Sequence, residues 1–221
     1  MSKLLIAMCL ILALSGCEKV VDGGLIQERN GLVYLPNSTT PFTGRVVDYF
    51  KHNRKIFMEF TYKNGEKDGP TRMWYESGQQ MSEGAYKNGK SDGPYRIWYE
   101  NGQLELERGY KNGEKDGPTR KWYENGQLKS EDTYKIGEKD GLIRTWFKNG
   151  QLKSEDTYKN GELDGPNRMW YENGQLKSEG AHKNGEYDGP IRAWYENGQL
   201  KSEDAYMNEL RQNLMRAFGD R

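Results

Sequence analysis

The chain has 221 residues, of which 34% are apolar and 30% charged, and its mean hydropathy is −1.05. This length suits one domain or one repeat array, and the apolar share is too small for a thick two-layer core. The 33 basic and 33 acidic residues cancel. Because no global field then attracts a polyanion, we expect no nucleic-acid partner.

The first 17 residues have the pattern of a lipoprotein signal. Lys3 precedes an apolar run of eleven residues, Leu4 to Leu14. This run is too short to cross a ~30 Å hydrocarbon core as a helix. The following letters LSGC resemble the lipobox of bacterial lipoproteins, in which the cysteine is diacylated and becomes the mature N-terminus. We therefore predict a signal peptide at residues 1–16 and lipidation of Cys17, the alternative being an ordinary secretory signal with a chance cysteine.

The remaining cysteine content agrees with a lipid anchor. Cys9 lies in the segment to be removed, so Cys17 would be the only mature cysteine and no intramolecular disulfide can form. Several acyl chains on one residue hold a protein at a membrane more stably than a single chain does. The resemblance to Gram-negative lipoproteins implies the outer membrane, because Glu18 and not aspartate follows the cysteine. We expect a lipid-anchored protein of the cell envelope.

A 24-residue unit then repeats six times without a gap. Each unit has one tryptophan, and these are all the tryptophans of the chain: Trp74, Trp98, Trp122, Trp146, Trp170 and Trp194. A fixed period of this length predicts units that stack on their neighbours. We divide the mature chain into an N-terminal segment with a degenerate leading repeat (17–61), six repeats (62–205) and a C-terminal cap (206–221). The cap is either a short helix or a half-repeat strand, and both would shield an open sheet edge.

Asn-Gly or a close variant occurs twice in each repeat, with spacings that alternate between 11 and 13 residues. Asn-Gly favours a two-residue type I′ turn, because both central residues need positive φ. Turns at this spacing leave strands of about five to eight residues and exclude long helices. We therefore predict an all-β fold, an elongated single-layer antiparallel β-meander of 24-residue hairpin repeats.

Opposite charges predict the register of these hairpins. A two-residue turn at Asn125-Gly126 places Arg120 opposite Glu131 and Tyr123 opposite Leu128. The same arithmetic gives an Arg–Glu pair in all six repeats. Alternation along the strands then sorts the side chains onto two faces, with Tyr123, Leu128, Ser130 and Tyr134 on one and Arg120, Trp122, Lys129 and Glu131 on the other. We expect the first face to be the better buried.

The pattern YKNGEKDG…WYENGQLKSE resembles the MORN-repeat variant, the type found in the YwqK-type antitoxin family. The resemblance covers residues 62–205 through the elements NG-x-x-x-G and W-Y-x-N-G. It implies a ribbon of hairpins that acts as a binding platform. It also implies an alternative function, a toxin-neutralising antitoxin or immunity protein.

The sequence has no recognisable catalytic or metal-binding pattern. His52 and His182 lie far apart, and no nucleophile stands beside a base. One aspartate precedes a glycine in each repeat, at Asp68, Asp92, Asp116, Asp140, Asp164 and Asp188. Neighbours ~9.6 Å apart cannot share a calcium ion, so we interpret these residues as turn-shaping. We predict a protein that is not an enzyme and needs no metal or cofactor.

The six tryptophans have two interpretations. They pack on neighbouring strands, or they grip a sugar chain, a peptide or a partner protein, because aromatic residues are enriched at binding hot spots. A single-layer ribbon leaves part of such a ladder accessible. We therefore take all six as candidate binding residues. The predicted function is non-catalytic binding or scaffolding of a protein or an extended glycan.

Overall fold

The computed structural model describes residues 19–204. The predicted signal peptide, the lipidation site Cys17 and the C-terminal cap at 206–221 lie outside the described residues. Between residues 19 and 204, no helix has the length and apolar character needed to cross a membrane.

Twenty β-strands and one 3₁₀ helix, Gly23–Leu25, make up the described chain. The first ten strands are β1 (Val20–Asp22), β2 (Gln27–Arg29), β3 (Leu32–Tyr34), β4 (Gly44–Tyr49), β5 (Ile56–Lys63), β6 (Glu66–Trp74), β7 (Gln80–Lys87), β8 (Lys90–Ser91), β9 (Gly93–Trp98) and β10 (Leu104–Lys111). The last ten are β11 (Glu114–Trp122), β12 (Leu128–Lys135), β13 (Glu138–Lys139), β14 (Gly141–Trp146), β15 (Leu152–Lys159), β16 (Glu162–Trp170), β17 (Leu176–Lys183), β18 (Glu186–Tyr187), β19 (Ile191–Trp194) and β20 (Leu200–Asp204).

Eighteen of these strands form one sheet. From β4 onward the strands pair antiparallel with their neighbours in the chain. The two-residue strands β8, β13 and β18 pair beside the turns. At the N-terminal end, β1 lies parallel to β4, and β2 and β3 form a separate hairpin. The predicted all-β meander is confirmed, as a long sheet that does not close.

One of the two turns in each repeat has the predicted geometry. At Asn112-Gly113 both residues have positive φ, 53° and 90°, and Lys111 pairs with Glu114. This is the two-residue type I′ turn. Positive φ at both central residues recurs at 64–65, 88–89, 136–137, 160–161 and 184–185. Asparagine and glycine tolerate this conformation at low cost, which explains the pair.

The other turn differs from the prediction. At Asn125-Gly126 only the glycine has positive φ, 83°. The Gly126 amide donates to the Tyr123 carbonyl and the Tyr123 amide to the Gln127 carbonyl, each at 2.8 Å. The turn is therefore a three-residue loop of the type I plus left-handed glycine kind. The Asn125 side chain favours it, because its Oδ1 accepts from the Gln127 amide at 3.1 Å.

A β-bulge compensates for the longer loop. Lys121 pairs with Ser130 but Trp122 pairs with Leu128, so one extra residue, Lys129, stands on the returning strand. The predicted pairing of Tyr123 with Leu128 is therefore wrong. Trp122 and Leu128 are opposite each other, so their side chains share a face and do not lie on the two faces predicted for them. The bulge leaves Lys129 without an opposite residue. Its ammonium lies 5.4 Å from the centre of the Tyr123 ring.

The bulge leaves the predicted Arg–Glu register intact. The confirmed pairs are Arg72–Glu83, Arg96–Glu107, Arg120–Glu131, Arg144–Glu155, Arg168–Glu179 and Arg192–Glu203. Each of these arginines also pairs with a glutamate on the preceding strand, beginning with Glu59 opposite Arg72. The result is one row of alternating charges from Glu59 to Glu203, which we call the charge row. Its side of the sheet is the arginine face.

The opposite side, which carries Thr119, Asp132 and Tyr134, is the tyrosine face. The buried side chains of this face are Val46, Tyr62, Thr71, Ser82, Leu106, Thr119, Ile143 and His182. The arginine face buries Val47 and Glu59. The distribution agrees with the expectation that the tyrosine face is the better buried side.

The most apolar packing lies at the N-terminal end of the sheet. Val33, Phe42, Val46 and Tyr62 form a buried cluster, with Val21, Ile26, Leu35 and Phe60 packed against it. The N-terminal segment thus covers the tyrosine face of the first strands. The edge at which the repeat array begins is covered separately, by the parallel pairing of β1 with β4.

Candidate functional site

The six candidate tryptophans all end a strand, and all are half-buried. Among residues 19–204, no tryptophan ring stacks on another aromatic ring or beneath a cation. The predicted role of these tryptophans in binding stays a prediction. Their main chain has a clear structural role, because several tryptophan carbonyls accept a hydrogen bond from the preceding repeat.

The donors of these bonds are the tyrosines that follow each tryptophan. The hydroxyls of Tyr75, Tyr99, Tyr123 and Tyr171 donate to the carbonyls of Trp98, Trp122, Trp146 and Trp194 at 2.8–2.9 Å. Burial raises the pKa of the Tyr75 and Tyr99 hydroxyls. We call this series the hydroxyl ladder. It joins adjacent repeats at four of the five junctions between the six repeats.

Phe147 breaks the hydroxyl ladder. It occupies the tyrosine position of its repeat but has no hydroxyl, so within residues 19–204 no side chain makes the equivalent bond to the Trp170 carbonyl. The change is visible in the sequence, because Phe147 is the single departure from tyrosine after the six tryptophans.

Lysines lie over aromatic rings in the later repeats. The Nζ atoms of Lys129, Lys153, Lys177 and Lys201 are 5.4–5.7 Å from the ring centres of Tyr123, Phe147, Tyr171 and Tyr195. A second set lies nearer the type I′ turns, where Lys115 and Lys139 cover Tyr134 and Tyr158 at 4.6 and 4.8 Å. These contacts were not predicted, because the bulge that brings Lys129 to Tyr123 has no marker in the residue pattern.

The charge row is largely open to solvent. Arg96 contacts Glu107 at 2.8 Å and Glu83 at 3.1 Å, and these two carboxylates raise the pKa of its guanidinium. Most members of the row keep a third or more of the side chain exposed, so their pairs are screened. The most buried member is Glu59, whose side chain is 8% exposed and lies 3.1 Å from Arg45. The charge row therefore serves mainly to fix the register of the strands, and it is a weak candidate for a site that binds a charged ligand.

The aspartates and asparagines hold neighbouring turns together. Asp68, Asp92 and Asp140 each accept from the main-chain amide of the asparagine that starts the next type I′ turn, at 3.0–3.4 Å. The Asn125 amide group reaches forward and donates to the Lys148 carbonyl at 3.2 Å. In the part of the chain that the structure covers, no three His, Cys, Asp or Glu side chains are grouped to hold a metal ion. The aspartates thus act on the turn of the following repeat.

The two histidines take part in separate local contacts. His52 bonds to Glu76, and His182 lies against the Tyr187 ring with the centroids 4.3 Å apart. His182 occupies a position that other repeats fill with tyrosine, and it is buried. The structure does not bring the two histidines into one site.

Two grooves lie on the tyrosine face. The smaller, of about 220 Å³, is lined by Tyr86, Tyr95 and Tyr110 among others. The larger, of about 370 Å³, lies where the hydroxyl ladder is broken, and we call it the Phe147 groove. Phe147, Trp170, Tyr171, Lys153, Lys177 and Glu172 line it, together with Met169 and Glu196. Of the six candidate tryptophans, Trp170 is thus part of a groove.

The comparison with known families agrees with this geometry. The family model described as the MORN repeat variant matches six segments, 67–88, 91–112, 115–135, 139–160, 163–184 and 187–208. The first five segments each begin just after one type I′ turn and end at or beside the next. None of the curated proteins matches the chain. Because the six segments cover more than half of the sequence, the chain belongs to the MORN repeat variant family.

Proposed function

We propose that the protein is a lipid-anchored repeat protein of the cell envelope that binds or scaffolds a protein or glycan partner without catalysing a reaction. MORN repeats suggest a repeat binding module. The observation that carries the proposal is the ladder of half-buried aromatic side chains, repeated on a sheet without a second layer over most of its length. Such a surface supplies equivalent contacts every ~9.6 Å, which suits an extended partner.

The lipid anchor would set the position of this sheet. Cys17 precedes the first residue of β1, Val20, by three residues. Three residues span at most about 11 Å. Acyl chains on Cys17 would therefore hold the parallel β1–β4 end of the sheet close to the membrane surface. The charge row and the aromatic side chains would then extend along the array from that end.

We expect cells grown with a labelled fatty acid to tag the wild-type protein and to leave Cys17→Ala untagged. The variant should also move from the membrane fraction to the soluble envelope fraction, because it loses its acyl chains. In a Gram-negative host the wild type should fractionate with the outer membrane. Equal labelling of the two proteins would contradict the proposed anchor.

Capture from envelope extract tests the binding role. The immobilised mature protein should retain a protein or glycan that an equally loaded column of unrelated protein does not. Recovery of a small toxin as the main ligand would favour the antitoxin alternative. A column that retains nothing from the envelope would contradict the proposed function.

A further inference from the structure

We infer that the Phe147 groove binds one unit of a neutral glycan against the side chains of Phe147, Trp170 and Tyr171, with the Trp170 carbonyl accepting a sugar hydroxyl. This inference rests on the proposed binding function and specifies a ligand class for one site. It rests on the break in the hydroxyl ladder, the volume of the groove and the balance of its charges.

The break leaves an acceptor in an aromatic groove. In the neighbouring repeats, the Tyr123 and Tyr171 hydroxyls donate to the carbonyls of Trp146 and Trp194 at 2.9 Å. Phe147 cannot make the corresponding bond to Trp170. A hydroxyl donor from outside can take the place of the missing tyrosine hydroxyl, since carbonyl oxygens have two lone pairs.

The walls of the groove fit an amphipathic, uncharged ring. Phe147, Trp170 and Tyr171 provide apolar surface, and the groove volume of about 370 Å³ is within the range of small-ligand sites. Two ammonium groups, of Lys153 and Lys177, are balanced by two carboxylates, of Glu172 and Glu196. These groups offer donors and acceptors to sugar hydroxyls but give no net attraction to an anion.

A peptide strand is a poorer occupant. Peptides that bind sheets gain their main-chain hydrogen bonds at an open edge. The Phe147 groove lies at the ends of strands β14 to β17, beside the three-residue loops, and the long edges of these strands are paired. Peptide amides placed over this face would lose water without regular partners, whereas a sugar can keep its outer hydroxyls in solvent.

Phe147→Tyr is the sharpest test of this site. The new hydroxyl should bond to the Trp170 carbonyl, as in the other repeats, and so remove the acceptor and narrow the groove without harming the fold. Tyr99→Phe is the matched control, because it makes the opposite change at a ladder position outside the groove. Detergent-solubilised full-length proteins would be titrated with cellohexaose, maltohexaose and chitohexaose by NMR or calorimetry.

We expect at least one of these neutral hexasaccharides to bind the wild type. Phe147→Tyr should weaken that binding at least about tenfold, because the sugar loses one hydrogen bond and part of the groove is filled by the new hydroxyl. Tyr99→Phe should bind like the wild type. An acidic hexagalacturonate should bind more weakly than the neutral sugars. The inference would be overturned by any of three results. These are a wild type that binds none of the three neutral sugars, a Phe147→Tyr variant that binds as tightly as the wild type, and a wild type that prefers the acidic sugar. Continued capture of an envelope protein in those cases would leave the proposed function standing.

Discussion

Removing residues 123–146 should leave a shorter but folded protein, whereas removing residues 123–134 should destroy the fold. The 24-residue deletion joins Trp122 to Phe147 in the same sequence context and keeps Arg120 opposite a glutamate, now Glu155. Because repeats contact only their neighbours, the loss is one repeat and one interface. Unfolding should stay cooperative, with a lower urea midpoint that falls again when a second repeat is removed.

The 12-residue deletion has a different consequence. It moves Arg120 into the place of Asp132, on the tyrosine face opposite Ile143, which is 5% exposed. Thr119, which is buried, would move to the arginine face. Every side chain of the upstream array changes face relative to the downstream array. Circular dichroism and urea unfolding measure both deletions, and equally cooperative unfolding of the two would contradict the hairpin-repeat architecture.

Arg45→Met should lower the free energy of unfolding by about 3 kcal/mol, because it leaves the buried Glu59 carboxylate without its close partner. Arg45 lies 3.1 Å from Glu59, and the remaining cation, Arg72, is 3.9 Å away. Arg120→Met changes the same kind of residue in an open part of the charge row. Since Arg120 and Glu131 keep 39% and 29% of their side chains exposed, this control should cost about 1 kcal/mol or less.

A double variant separates a lost ion pair from lost packing. Arg45→Met combined with Glu59→Leu removes both members of the pair, so no buried charge stays unpaired. The double variant should regain most of the stability lost by Arg45→Met. The expected effect of burial would be contradicted if Arg45→Met and Arg120→Met lost equal free energy of unfolding. It would also be contradicted if the double variant regained no stability.

The fold could be predicted from the sequence because each repeat carries more than one signal for how its strands pair. The Asn-Gly spacing limits the strand length, and the Arg–Glu pairs then fix the register through six repeats. These signals lie close together in the chain. A wrong register in one repeat would disagree with the register of the other five. The parallel pairing of β1 with β4 has no comparable signal, since it joins distant segments that occur once.

The details of the surface were less predictable. The loop at Asn125-Gly126 contains the same two residues as a type I′ turn, but Asn125 lacks positive φ and its side chain accepts from the Gln127 amide. The bulge that follows decides where Lys129 points. The Phe147 groove depends on a missing hydroxyl, which matters only once the neighbouring tyrosines are known to bond to the next repeat. Spacing alone does not reveal such contacts.

The measurement that tests the central claim most directly is capture from envelope extract by two double variants, alongside their thermal unfolding. Trp122→Ala with Trp146→Ala should lower capture of the partner more than it lowers the unfolding temperature, because these rings have no aromatic or cationic partner within residues 19–204. Tyr99→Ala with Tyr123→Ala should do the reverse, because it removes two bonds of the hydroxyl ladder. The assignment of the binding role to the tryptophans would be contradicted by the opposite result. In that case the tyrosine variant would stay stable but no longer capture the partner, and the tryptophan variant would still capture it.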